Sequence, residues 1–264
     1  MGLWDWLRQL LDGPLGAALV GVGLLSVRWL VLLSVVPIPV IEDIGVVLRS
    51  ALAVMFAVGS LPAALPVPTS VLDLEVVVAL AAKEALVGLA LGAIVGFLLS
   101  AFDAAGRFSD QFRGASMSEV FSGLSGGSNS PLGAFFLVAV LALLSVSGGL
   151  MVLLGGLLRS AEVFPVAELP ARLSAPGEFV GAALGLFGRS FEVGLLLASP
   201  AMAVALLLDV SLGIAARVSP GFEGYFLAMP LRAALALGSL VISLALVRPH
   251  LTSLVRGALR VLAG

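Results

Sequence analysis

The chain has 264 residues, 60% of them hydrophobic and only 11% charged, with 14 basic and 16 acidic residues for a formal net charge of −2. A soluble domain carries about 25% charged residues, so at a mean hydropathy of +1.18 the chain has more apolar surface than a soluble core can hide. There is no Cys and one His, His250, which excludes disulfides, thiolate metal sites and histidine clusters.

Apolar stretches recur along the whole length. A membrane-crossing helix needs roughly 20 such residues, so the expected fold is all-α, a polytopic bundle of apolar helices and broken hairpins forming one unit over 1–264. Residues 1–12, including WDWLRQLLD, lack the basic start and small-residue cleavage site of a signal peptide and are expected to stay on the mature chain. Six apolar blocks follow. The first runs from Leu15 to Val36 and ends at Pro37-Ile38-Pro39; the second, Ile44 to Leu61, ends in a run closed by Pro68. The third spans Val76 to Phe102. Beyond it, Asp103 and Arg107 stand at i,i+4 and Asp110 and Arg113 at i,i+3, spacings at which both pairs can bridge along a helix. That end reads either as an exposed helix terminus or as a polar neck. The Gly/Ser-rich segment Ser122 to Pro131 cannot face hydrocarbon, because its backbone groups would be unsatisfied there.

The fourth block is Leu132 to Leu158, and Pro165, Pro170 and Pro176 mark the gap after it. The fifth, Phe179 to Ala216, is too long for one crossing and contains Pro200, where a helix is expected to kink or break. The sixth runs from Tyr225 to Val247. No acidic residue follows Glu223, whereas Arg232, Arg248, Arg256 and Arg260 do, which favours a cytoplasmic C-terminus.

Ionisable residues inside these blocks are Arg28, Lys83, Glu84, Arg189, Glu192, Asp209 and Arg217. Each costs ~2.5–3.5 kcal/mol on insertion scales unless it finds a partner or a wet cavity. Pairing between helices or subunits is the simplest reading, and a proton relay is the sharper one. Lys83 and Glu84 are neighbours about 100° apart on a helix, so they are expected to reach different partners rather than each other. Gly88, Gly92 and Gly96 share one face at the spacing that lets another helix backbone approach closely, and Gly181 with Gly185 repeats it. Basic residues are scattered, so nucleic acid is not an expected partner. Gly123-Leu124-Ser125-Gly126-Gly127 matches the GxSxG pattern of serine hydrolases. A serine nucleophile needs a base, and the one histidine lies beyond the last apolar block.

Taken in order, several features resemble the SctT family of type III secretion export-apparatus proteins, whose flagellar counterpart is FliR. They are Arg28, Pro37-Ile38-Pro39 and Arg49; Lys83-Glu84 with Gly88 and Gly92; Ala105-Gly106, Asp110 and Arg113-Gly114-Ala115; Ser130-Pro131; and Asp209, Gly213, Arg217, Pro220 and Phe226-Leu-Ala-Met-Pro230. Departures are Phe112 for a usual Gln, Glu223 for Asn and Arg232 for Lys, and Arg232 keeps the charge but not the geometry of lysine. Asp209 and the Leu-Ala-Met-Pro run tilt the resemblance toward the injectisome branch. It implies a noncatalytic, cofactor-free subunit of the bacterial inner membrane. The subunit would join SctR and SctS in a helical ring that conducts unfolded proteins and then receives SctU and SctV. It further implies an SctR-like part over 1–178, an SctS-like hairpin over 179–264, and a pore plug in 116–129 in which Met117, Val120, Phe121, Leu124, Gly126 and Gly127 seal the channel. A small-molecule secondary transporter is the alternative; it calls for internal repeats, and none is visible. An intramembrane serine protease comes third.

Overall fold

A computed structural model describes residues 14–37, 45–64, 74–112, 130–166, 176–218 and 224–263. Among them there is helix and turn but no strand. The helices are α1 (Pro14–Val35), α2 (Val46–Ala64), α3 (Leu74–Phe112), α4 (Pro131–Val146), α5 (Gly149–Leu158), α6 (Ser160–Val163), α7 (Pro176–Val218) and α8 (Gly224–Ala263).

Each of the six apolar blocks corresponds to helix, and the differences lie at ends and breaks. The third block continues as helix through the polar stretch to Phe112. The fourth is not one helix: a turn at Ser147 and Gly148 separates α4 from α5. Gly148 has φ of 73°, the left-handed conformation that ends helices and that glycine adopts without a side-chain clash. Of the two outcomes expected at Pro200, a kink or a break, the break does not occur: α7 continues past it to Val218. The sixth block extends through Pro249 to Ala263, so Arg248, Arg256 and Arg260 are helical.

Three helical stretches among the described residues are long and apolar enough to cross a membrane: Gly16–Val35, Glu75–Phe112 and Ala183–Val218. Counting the bent pair Pro131–Val146 and Gly149–Val163 as one span makes four. The 39 residues of α3 measure about 58 Å at about 1.5 Å per residue, nearly twice the ~30 Å of a bilayer's hydrocarbon. Part of α3 therefore lies outside that layer. Several serines inside these helices satisfy themselves locally, as a non-aqueous surrounding favours. Ser26 donates to Val22 O, Ser34 to Leu30 O, Ser145 to Leu141 O and Ser211 to Leu207 O.

The chain packs as two compact units that are not contiguous in sequence. The first comprises Met1–Gly96, Leu150–Leu186 and Gly257–Gly264; the second comprises Phe97–Gly149 and Phe187–Arg256. In the first, Leu25, Trp29 and Leu32 of α1 are buried with Ala53 and Ala57 of α2 and Leu91 and Ile94 of α3. Trp29 stacks on Phe56 with ring centroids 4.8 Å apart, and its indole N–H donates to Ser60 Oγ at 3.2 Å. That bond gives the buried indole the partner it needs. In the second unit, Leu98, Phe102 and Ala105 of α3 are buried with Phe136 and Val140 of α4 and Leu197, Ala198 and Ala201 of α7. Gly194 of α7 lies against α3 so closely that a Cβ there would come within 2.8 Å of Ala101 O.

Much apolar surface stays uncovered by the chain itself. Val47 is 83% exposed, Met55 57% and Leu206 66%. Apolar area of this extent marks a surface that lipid or other protein covers.

A buried charge cluster and a helix latch as the candidate functional site

α1 and α3 cross where Gly88 faces Arg28. A Cβ at Gly88 would fall on the carbonyl oxygen of Arg28, and one at Gly92 would lie 3.2 Å from Leu32 Cα. Gly96 is looser, with Pro37 Cδ at 3.7 Å. Only Gly88 and Gly92 of that triad thus meet a neighbouring backbone in tight contact. Around Gly181 and Gly185, by contrast, a Cβ would meet nothing within 4 Å, so no helix among the described residues packs closely on that pair.

The close crossing brings the charges of α1 and α3 together. Arg28 Nε donates to Glu84 Oε2 at 2.5 Å, with the side chains 1% and 0% exposed. The rest of the guanidinium is spent on the chain after α5: Nη1 donates to Ser160 Oγ at 3.1 Å and Nη2 to Phe164 O at 2.8 Å. Lys83 Nζ donates to Pro165 O at 2.7 Å and Val166 O at 2.8 Å. It also stands 2.8 Å from Glu84 Oε1, an oxygen without an aligned hydrogen bond. Lys83 and Glu84 each reach a different partner, and their charged ends also lie side by side without an aligned hydrogen bond between them. The four-carbon lysine stem is long enough to swing its ammonium back beside the adjacent carboxylate. Among the described residues the cluster holds two cations and one carboxylate. The three carbonyl oxygens of Phe164, Pro165 and Val166 face the two cations as dipole acceptors.

The second constellation joins the end of α3 to the start of α4. Ser130 is the N-cap of α4, and its hydroxyl accepts from Gly133 N at 2.9 Å. Pro131 follows at the first helical position, where its missing N–H costs nothing. Asp110 Oδ2 accepts from the Ser130 hydroxyl and, at 3.0 Å, from Leu132 N. Ser109, Asp110 and Ser130 are buried, so this end of α3 is not an exposed terminus. Asp110 faces α4, while Arg113, its expected partner, lies outside the described residues. The Asp103 and Arg107 pair does form, with Nε donating to Oδ2 at 2.7 Å at a partly exposed position.

The remaining intramembrane charges sit differently. Asp209 of α7 pairs with Arg232 of α8 at a half-exposed position. Arg189, Glu192 and Arg217 are exposed on α7, and none makes an ion pair among the described residues. Met117, Val120, Phe121, Leu124, Ser125, Gly126 and Gly127 lie outside the described residues. No group of three or more potential metal ligands occurs among those described.

Reading the residues singly misses the roles of Ser160 and the carbonyls after it, because nothing local distinguishes an acceptor that a residue 132 positions away will use. The α4 cap was within reach. Ser130-Pro131 with an N–H three residues on is a helix-start signature.

The model of the family described as bacterial export proteins, family 1, matches residues 19–258. The chain is 27% identical over 198 residues to Yop proteins translocation protein T of Yersinia pestis, covering 75% of each chain. It is 30% identical over 199 residues to flagellar biosynthetic protein FliR of Aquifex aeolicus, covering 75% of this chain and 74% of that one. To FliR of Bacillus subtilis it is 30% identical over 169 residues, 64% of each. With a family match over nearly its whole length and apolar helices of membrane-crossing size, the chain belongs to the SctT/FliR family of membrane components of bacterial type III and flagellar export apparatus.

Proposed function

We propose that the chain is a noncatalytic pore subunit of the type III secretion export gate, assembling with SctR and SctS to conduct unfolded proteins across the bacterial inner membrane. SctU and SctV then join the assembled ring. The observation that carries this reading is the family match over residues 19–258. The exposed apolar faces of α2 and α7 support it, because a subunit packed among others and lipid needs such faces. Arg28, Lys83 and Glu84 hold α1, α3 and the segment after α6 in one register, and Glu192, Asp209 and Arg217 are left on outer surfaces where neighbouring subunits can meet them. Residues 116–129 act as the plug of the resting pore, and the hairpin over 179–264 takes the SctS-like place. The injectisome branch is favoured by Asp209 and the Leu-Ala-Met-Pro run.

Purification in mild detergent from cells co-expressing SctR and SctS tests the reading. A stable complex holding all three chains is expected. Recovery of this chain alone, with SctR and SctS forming their complex without it, would overturn it.

A further inference from the structure

We infer that the outward face of α7 is a seam for one apolar helix of another chain, a helix that sets a lysine or arginine against Glu192 and a carboxylate against Arg217. The inference rests on the reading of this chain as a subunit of the secretion complex and adds the chemistry by which one neighbour is recognised.

Within the second unit, α7 is buried along one side, where Val193, Leu197, Ala201 and Leu208 face the rest of the chain. The opposite side is open. Glu192, Leu195, Ser199, Leu206, Gly213 and Arg217 are all exposed, and they recur at steps of three, four and seven residues. That spacing keeps one stripe of a helix turned toward a single neighbour, as in helix pairs that cross at about 20°. Ser199 donates to Leu196 O at 2.7 Å and so offers the neighbour a small, satisfied surface. Gly213, where a Cβ would meet nothing within 4 Å, offers another.

Lipid is a poor cover for this face. The uncharged run of α7 between Glu192 and Asp209, residues 193–208, measures about 24 Å at about 1.5 Å per residue. Hydrocarbon is ~30 Å thick, so a lipid-covered α7 would leave an ionisable side chain inside it, where it needs a partner. Asp209 has Arg232. Glu192 and Arg217 make no ion pair among the described residues. A second copy of this chain does not answer them. Copies inserted in one orientation about an axis along the membrane normal align α7 in parallel, which sets Glu192 against Glu192 and Arg217 against Arg217. Nor does a segment between the described helices. The longest, 113–129, would measure about 26 Å even if wholly helical, against about 38 Å from Glu192 to Arg217. A helix of another protein with charges in the complementary order answers both.

The test places the photocrosslinking residue p-benzoylphenylalanine at Leu195 or at Leu206 in cells co-expressing SctR and SctS. Both positions are expected to give adducts with the same companion chain. Glu192→Arg and Arg217→Glu should each lower both yields by about tenfold or more, since like charges juxtaposed at an interface are strongly disfavoured. Mapped by mass spectrometry, the Leu195 adduct should lie in an apolar helix within a turn of a lysine or arginine. Changing that residue to glutamate should restore the yield with Glu192→Arg. Adducts with lipid alone or with a second copy of this chain, beside a recovered complex of the three proteins, would overturn the seam and leave the function standing. So would reversals that leave the yields unchanged, or an adduct segment without a cation. Failure of the three proteins to form a complex would remove the function and this inference with it. If the reversals prevent membrane insertion, Glu192→Gln and Arg217→Gln decide by the same readout: lower yields at both positions support the seam, and unchanged yields overturn it.

Discussion

Arg28 of α1 and Glu84 of α3 share a 2.5 Å hydrogen bond between opposite charges, both side chains almost wholly withdrawn from solvent. Such a pair is weak evidence for stability in itself, since desolvation offsets much of the attraction. Breaking it is another matter, because a stranded buried charge has no water to turn to.

Glu84→Ala leaves Arg28 and Lys83 facing each other's charge without the carboxylate between them. The expected loss is about 3–5 kcal/mol, enough to abolish recovery of the complex with SctR and SctS. Arg28→Lys should fare little better, because one ammonium cannot serve Glu84, Ser160 and Phe164 from the positions of a planar fork. Normal assembly of Glu84→Ala with secretion lost would assign Glu84 to the export mechanism instead.

Lys83→Met should be milder. It keeps the Arg28 and Glu84 pair and leaves the carbonyls of Pro165 and Val166 without their donor, a cost of about 1–3 kcal/mol for each group left unsatisfied. The thermal stability of the purified complex should rank wild type above Lys83→Met, and Lys83→Met above Glu84→Ala. An inverted order would show that the lysine, not the carboxylate, holds the cluster together.

Glycines of the α3 triad should separate cleanly on substitution. A methyl at Gly88 strikes the Arg28 carbonyl, which belongs to a helix backbone and cannot step aside, whereas one at Gly96 finds ordinary contact at 3.7 Å. Overpacking of the first kind costs typically about 1–3 kcal/mol. Gly88→Ala is therefore expected to lower the melting temperature of the complex and Gly96→Ala to leave it near wild type. Equal tolerance of both would mean that α1 and α3 do not cross at Gly88.

Ser125→Ala should secrete at the wild-type level, since a serine nucleophile needs a base to take its proton and the one histidine lies beyond the last apolar block. Secretion assayed alongside complex recovery checks this, and a secretion defect in an assembled complex would reopen the hydrolase reading.

Deletion of residues 121–127 should give a complex that assembles but passes ions and dye at rest. Conductance across a planar bilayer is a direct readout. A tight deletion variant would place the seal elsewhere.

Helix content and the places of the six blocks were legible in the sequence, because crossing hydrocarbon imposes a long apolar run and prolines and glycines punctuate its ends. Local spacing also foretold the Asp103 and Arg107 pair, four residues apart on one helix. Local rules left open whether Pro200 splits its helix or only bends it, and the helix continues in spite of the lost N–H. For Lys83 and Glu84 the angle between positions pointed to different partners, but it could not show that a lysine bends far enough to lie beside the adjacent carboxylate. Which charges would be buried was beyond one-dimensional reading: Glu84 and Glu192 both lie in apolar blocks, yet one is fully enclosed and the other exposed. Likewise Asp110 has a potential partner three residues away in sequence but caps a helix that starts twenty-one residues on. Composition and periodicity are properties of neighbouring residues, and they determined that this is a membrane protein of apolar helices. Partnership at a distance depends on which helix faces meet, and only the tertiary packing of Gly88 on Arg28, and of Gly106 on Gly133, decided that.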